Sequence, residues 1–302
     1  MRMFLLMALA GCGEYVAYDE DPKGQVAVRT PGSDDLDDTT RARFEALTTL
    51  DHLAFEAVLG RHVVVDDTQA SVDYAGLSAD VEATSLLAGY LAMLDAVRPD
   101  RLDGSAERQA YWYNAYNAAV LQGVLTFWEG DPTWSVSEQT FLFFDQPIWR
   151  FGGVVLSLNH IEHGIIRGDF GHASQNGLDT ATRAAIEAFH TDLWQGSRPD
   201  PRLHVALNCA SLSCPDLGAS QPRAFRAATL EAQLTDLTRR FLHSPLKGAG
   251  PSGISSLFSW YQADFEAVGG SSAFIEAHRE GGLSGVDTSR LLPYDWSLNV
   301  TR

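Results

Sequence analysis

The sequence predicts an α+β fold, a mostly helical single domain around a small sheet that includes a Gly-Gly hairpin. Apolar residues recur at helical spacing in most of the patterned segments, so helices outnumber strands. The strand-like runs do not alternate regularly with helices, which argues against a doubly wound parallel sheet. Gly152-Gly153 sits between two apolar runs, and glycine supplies the positive φ angles of a tight hairpin turn.

Residues 1–11 read as a signal peptide. Arg2 and the apolar run Met3 to Ala10 lead into Leu9-Ala10-Gly11-Cys12: a charge, an apolar stretch, small residues, a cysteine. This resembles a bacterial lipoprotein signal, with Cys12 as the lipidation site. A transmembrane helix needs about 20 apolar residues, more than this run supplies. Gly13 after the cysteine resembles the outer-membrane sorting pattern. The expected location is therefore the cell envelope, on the periplasmic face of the outer membrane, with the membrane reached through lipid alone. Residues 12–40 read as an acidic tether, carrying Asp19-Glu20-Asp21-Pro22 and Asp34-Asp35-Leu36-Asp37-Asp38.

Residues 41–302 form one globular domain of about 260 residues, enough for a sizeable core. Phe44, Leu47, Leu50, Leu53 and Val58 open it at helical spacing, and His62 to Val65 fits a short strand. Val81 to Val97 reads as a helix ended by Pro99, and Ser105 to Phe127 as a longer one. Ile148 to Leu158 is the hairpin. A short helix over 160–167 comes next, then another from Ala181 to Leu193. Arg202 to Asn208 reads as the clearest strand. Ala224 to Phe241 is an amphipathic helix, with Leu230, Leu234, Leu237 and Phe241 on one face. Two shorter helices are expected between Leu257 and His278.

Charge and cysteine content narrow the function. A formal net charge of −17 argues against nucleic acid as a partner, since that needs a clustered basic surface. With Cys12 given to the anchor, Cys209 and Cys214 remain, in a compartment that permits disulfides. They form a bridge, or one is a nucleophile activated by a nearby imidazole, or both are inert buried thiols.

Three segments carry polar groups in apolar surroundings. Asn114 and Asn117 lie three apart on a helix that is apolar nearly all round. They either tie that helix to a loop or line a pocket. Asn159 and Glu162 have the spacing of a helix-start capping box. His160 and His163 are one turn apart without the H-E-x-x-H zinc pattern, so a metal site built from either of them with His204 ranks third among the readings and no metal is assigned. In the strand reading, His204, Ala206 and Asn208 share one face. His204 is then either a general base or a hydrogen-bonded core histidine.

Five segments in order resemble the domain-of-unknown-function 547 family. They are Tyr111-Trp112-Tyr113-Asn114-Ala115-Tyr116-Asn117-Ala118, Leu156-Ser157-Leu158-Asn159-His160-Ile161-Glu162-His163, and Arg202 to Ser211 with Cys214-Pro215. Ser259-Trp260-Tyr261 and Pro293-Tyr294-Asp295-Trp296-Ser297-Leu298-Asn299 complete the set. The resemblance implies membership and adds Asp295 to the polar residues above, but it implies no reaction and no cofactor. The expectation is an enzyme of the hydrolase or acyl-transferring class. His204 is the base with His163 second in line, and Cys209 or Cys214 is the nucleophile. Asn114, Asn117, Asn208, Glu162 and Asp295 line the pocket. The alternative is a non-catalytic binding module with a Cys209–Cys214 disulfide.

Overall fold

The computed structural model describes residues 30–301, so the signal peptide, Cys12 and most of the acidic tether lie outside the described residues. The helical pattern near Arg41 divides into α1 (Asp38–Glu45) and α2 (Leu53–His62), because His52 takes a left-handed conformation between them, with φ 54°. β1 (Val63–Val65) pairs antiparallel with β2 (Ala70–Val72). Asp73 and Asp80 then start α3 (Tyr74–Ala79) and α4 (Val81–Ala96) by accepting from the Gly76 and Ala83 N–H groups. α5 (Gly104–Phe127) is the central helix, with every residue from Ala110 to Leu121 buried.

After α6 (Glu138–Asp145), β3 (Trp149–Phe151) and β4 (Val154–Leu156) make the expected hairpin. Gly152 and Gly153 turn it with φ 58° and 80°. A π-helix, His160–Arg167, comes after the hairpin and packs against α7 (Thr180–Trp194). The chain continues through α8 (Leu203–Ala206), α9 (Leu230–His243), β5 (Ala249–Gly250) and β6 (Gly253–Ile254). It closes with α10 (Leu257–Trp260), α11 (Gln262–Glu266) and α12 (Gly270–His278). The fold is mostly helical α+β, and among the described residues its sheets are three separate antiparallel pairs. One apolar cluster runs through the body from Leu50 to Leu298. No described helix is long and apolar enough to cross a membrane.

Several local expectations are corrected. The segment from Arg202 is a helical turn, not a strand, and only Leu207 onward is extended. Asp200-Pro201 explains this: the Asp200 carboxylate accepts from Arg202 N–H (2.9 Å) and its carbonyl from Leu203 N–H (2.9 Å), with the fixed φ of proline in the turn that leads into the helix. His204 and Asn208 therefore do not share a strand face. The amphipathic helix begins at Leu230, because Asn114 and Gln233 hold the preceding backbone as a loop. Gln233 Oε1 accepts from Arg226 N–H (3.1 Å), and its Nε2 donates to Pro222 O (2.7 Å) and Ala224 O (2.9 Å).

The capping box sits two residues earlier than the Asn159/Glu162 spacing predicts. Ser157 Oγ accepts from His160 N–H (3.0 Å), and His160 Nδ1 accepts from Ser157 N–H (3.1 Å). The end of the acidic segment expected to be tether lies on the body: Ser33 N–H donates to buried Asp95 (2.7 Å), and Arg150 pairs with Asp34 (2.6 Å).

Long-range connections fix the turn that carries the cysteines. The C-terminal segment reaches β2, where Val72 N–H donates to Asn299 O (2.8 Å). It also lies along the turn after Cys209, where Leu212 N–H donates to Ser297 O (2.7 Å) and Asn299 N–H to Ala210 O (2.9 Å).

Candidate active site

The amides organise backbone instead of lining a pocket. Asn114 Nδ2 donates to Phe225 O (2.8 Å) and its Oδ1 accepts from Phe225 N–H (2.9 Å). Asn117 clamps the next loop the same way, donating to Ala206 O (2.8 Å) and accepting from Asn208 N–H (2.9 Å). Asn208 donates to Pro215 O (2.6 Å) and accepts from Ala210 N–H (2.9 Å). A buried amide that makes both kinds of bond to main chain fixes that chain's path. Asn117 and Asn208 thereby hold the stretch 206–215, which carries both cysteines. Asp295 is exposed, and its carboxylate accepts from Ser297 N–H (2.9 Å), so it caps a surface turn.

The structure does gather three of the expected groups. Glu162, His204 and Cys209 face one another across a cavity of about 20 Å³, which Tyr116, Tyr261, Leu207 and Leu257 complete. That volume has room for about one water molecule. The three side chains arrive from the π-helix, α8 and the extended residues after it. π-Helical turns recur at functional sites because they redirect side chains within a helix.

Protonation in the hollow is set by burial. Glu162 accepts from Tyr261 Oη (2.6 Å) and Tyr116 Oη (3.0 Å), yet burial pushes its carboxyl up to about 7. Burial pushes His204 the other way, down to about 4, against the opposing effect of its hydrogen bond to Asp264. At neutral pH His204 is a neutral imidazole. Asp264 lies 2.8 Å from His204 Nε2. Burial would raise that carboxyl, but the bonds from His204 and Arg167 outweigh it and hold it at about 2. The carboxylate only accepts, so Nε2 carries the proton and Nδ1 is the basic nitrogen.

Arg167 fixes this arrangement from behind. Its Nε donates to the same Asp264 oxygen (2.7 Å), and its guanidinium lies 4.8 Å from the centre of the Tyr261 ring, which also stacks on His204. Arg167 Nη1 donates to His163 Nδ1 (2.5 Å), and the His163 ring stacks on His172 at 3.6 Å. His163 thus stands outside the hollow and orients Arg167. His160 has both ring nitrogens in use, one in the capping box and Nε2 at 3.0 Å from Ser174 O. No group of three or more metal-ligating side chains occurs among the described residues.

Cys209 and Cys214 are unbridged thiols, so the disulfide of the alternative reading is not formed. Cys214 Sγ accepts from Cys209 N–H (3.0 Å), and burial, followed by the neighbouring Cys209, raises its pKa well above that of an ordinary thiol. It supports the turn and does not line the hollow. Cys209 Sγ lies 3.1 Å from Ser211 Oγ and 3.4 Å from Tyr294 Oη. Between them Ala210 takes φ 64°, a left-handed conformation that costs a non-glycine residue about 1 kcal/mol. The strain places the side chains of Cys209 and Ser211 against the same hydroxyl.

Sequence reasoning missed Asp264, Arg167, Tyr116 and Tyr261. One signal was available: Tyr261 and Asp264 lie three apart in a helical stretch, so they share a face, and both contact His204. Arg167 lies four residues after His163 on the same helix, a spacing that pairs those two, but nothing in the sequence links it to Asp264.

Comparison with known proteins adds a family match over part of the chain and no activity. No curated protein and no solved structure matches the chain significantly. Glu162, Arg167, His204, Cys209 and Cys214 fall within the matched region 99–242, whereas Tyr261, Asp264 and Tyr294 lie beyond it. Residues 99–242 match the family described as "Protein of unknown function, DUF547", the family its sequence motifs resemble.

Proposed function

We propose that this protein is a thiol-dependent hydrolase or acyl transferase whose reacting centre is the hollow between Glu162, His204 and Cys209. The observation that carries the reading is the reversed pair: a neutral imidazole held by Asp264 and a protonatable carboxyl face one thiol. Two titratable groups driven apart by their surroundings mark acid and base roles. His204 Nδ1 takes the Cys209 proton, and the thiolate adds to a substrate carbonyl. Glu162 protonates the leaving group as the carbonyl re-forms a thioester. Water, or an acceptor nucleophile, then cleaves the thioester, giving its proton to Glu162 while the proton on His204 returns to the departing Cys209 thiolate.

Incubation with an activated ester such as p-nitrophenyl acetate tests this. The expected result is an acetyl adduct on the Cys209 peptide, absent in Cys209→Ser and formed at least 100-fold more slowly in His204→Ala. Absence of the adduct, with slow alkylation of both thiols in the folded protein, refutes the reading.

The proposal includes attachment to the envelope through a lipid on Cys12, supported by the order Leu9-Ala10-Gly11-Cys12. Cells fed an alkyne-tagged fatty acid should label the wild-type chain and not Cys12→Ser. Equal labelling of both refutes that part.

A further inference from the structure

We infer that Ser211 and Tyr294 set the reactivity of Cys209 by donating two hydroxyl hydrogen bonds to its thiolate. The inference rests on the reading of Cys209 as the nucleophile and names residues which that reading does not use.

Three atoms form a closed ring: Cys209 Sγ to Ser211 Oγ at 3.1 Å, Sγ to Tyr294 Oη at 3.4 Å, and Ser211 Oγ to Tyr294 Oη at 3.0 Å. In the thiol form, three protons serve the three contacts of this ring, and Cys214 lies beside both Cys209 and Tyr294. Once the sulfur has lost its proton it only accepts. Both hydroxyls then rotate their protons onto it, giving up the bond between the two oxygens, with no movement of heavy atoms. Two bonds to a charged acceptor replace one set of neutral bonds, and bonds of that kind are roughly twice as strong.

The surroundings make this pair necessary. Cys209 is buried, which favours the neutral thiol. The titratable groups around the sulfur are Glu162, His204, Tyr116 and Tyr261 across the hollow, Cys214 behind the turn, and the phenols of Tyr74 and Tyr294. None of the residues lining the hollow is a lysine or arginine, and His204 is neutral at pH 7. Hydroxyl donors are the stabilisation on hand.

The chain is organised to deliver them. The left-handed turn at Ala210 sets Ser211 beside Cys209. Tyr294 comes from the C-terminal segment, which is locked to the turn by Asp295 N–H donating to Ser213 Oγ (2.8 Å) and Ser213 N–H to Asp295 O (3.2 Å). Its ring packs against Trp260 and Trp296, with centroids 4.7 and 4.4 Å away.

The test is the pH profile of iodoacetamide alkylation at Cys209, read by peptide mass spectrometry on the full chain so that Cys12 and Cys214 are scored separately. Tyr294→Phe and Ser211→Ala each remove one hydroxyl. Each should raise the midpoint by about one pH unit and slow alkylation at pH 7 by ~tenfold, with the high-pH plateau kept. A role confined to packing changes the plateau and leaves the midpoint in place, and that result overturns the inference. So does a midpoint that falls. The two proposals fail separately: a moved midpoint without an acyl adduct keeps this inference and removes the hydrolase reading, while an adduct with an unmoved midpoint does the reverse.

Discussion

Replacing Glu162 by glutamine should change how stability depends on pH, and the sign is fixed by the direction of the shift. The carboxyl has an ordinary value of 4.5 and is pushed up to about 7 in the folded protein. Between those values the folded state holds a proton that the unfolded chain has released. The contribution of Glu162 is therefore fully present below pH 4.5 and is lost as pH rises through 7. At 1.36 kcal/mol for each pH unit, the loss is about 3 kcal/mol. Glutamine cannot titrate, and its amide can still bond Tyr116 and Tyr261. His204 acts in the opposite sense: lowered from 6.5 to about 4, it contributes above pH 6.5 and loses its contribution as pH falls through 4. In wild type the two slopes cancel between pH 4.5 and 6.5. The assay is urea unfolding of wild type and Glu162→Gln from about pH 4.5 to 8. The variant should gain about 3 kcal/mol on wild type across that range, and its own stability should rise steadily with pH between about 4.5 and 6.5. A difference between the two proteins that stays flat with pH refutes the buried, protonated carboxyl.

The same geometry makes three more outcomes measurable. Ester turnover should be bell-shaped, falling below about pH 4 as His204 is protonated and above about pH 7 as Glu162 ionises, read as kcat/KM against pH. Asn114→Ala leaves both the N–H and the carbonyl of Phe225 buried and unpaired, so urea unfolding should show a loss of about 2–4 kcal/mol. Asp264→Asn replaces a group that only accepts with an amide that can also donate to Nε2, so the His204 tautomer is no longer fixed and acyl-adduct formation should fall by roughly 100-fold or more while far-UV circular dichroism is unchanged.

What the sequence discloses depends on how local each cause is. The Gly152-Gly153 hairpin, the helix ended by Pro99 and the buried α5 come from spacing within a single segment, and they are legible. The segment from Arg202 misleads because its alternation over seven residues outweighs Asp200-Pro201, whose capping oxygen and fixed φ start a helical turn. Glu162 has the spacing of a capping box that Ser157 and His160 form instead, which hides the fact that its side chain is available to the hollow. Structural and pocket amides look alike in the sequence, since the partners of Asn114 and Asn117 are main-chain groups about a hundred residues away. Asp264 and Arg167 define the imidazole tautomer, yet neither belongs to a recognisable spacing with His204. Distant residues that meet only through tertiary packing leave no periodic trace.

The docking of the C-terminal segment beside the cysteine turn has a consequence for when the protein becomes reactive. A ribosome makes Tyr116, Glu162, His204, Cys209 and Tyr261 in that order, and the phenol that touches the sulfur comes after all of them. A nascent chain folding from its N-terminal side thus completes the cradle around the nucleophile last. Until that stretch docks, Cys209 lacks the contact with the Tyr294 hydroxyl. In the reaction proposed above, synthesis order then sets when the sulfur gains its second hydroxyl partner.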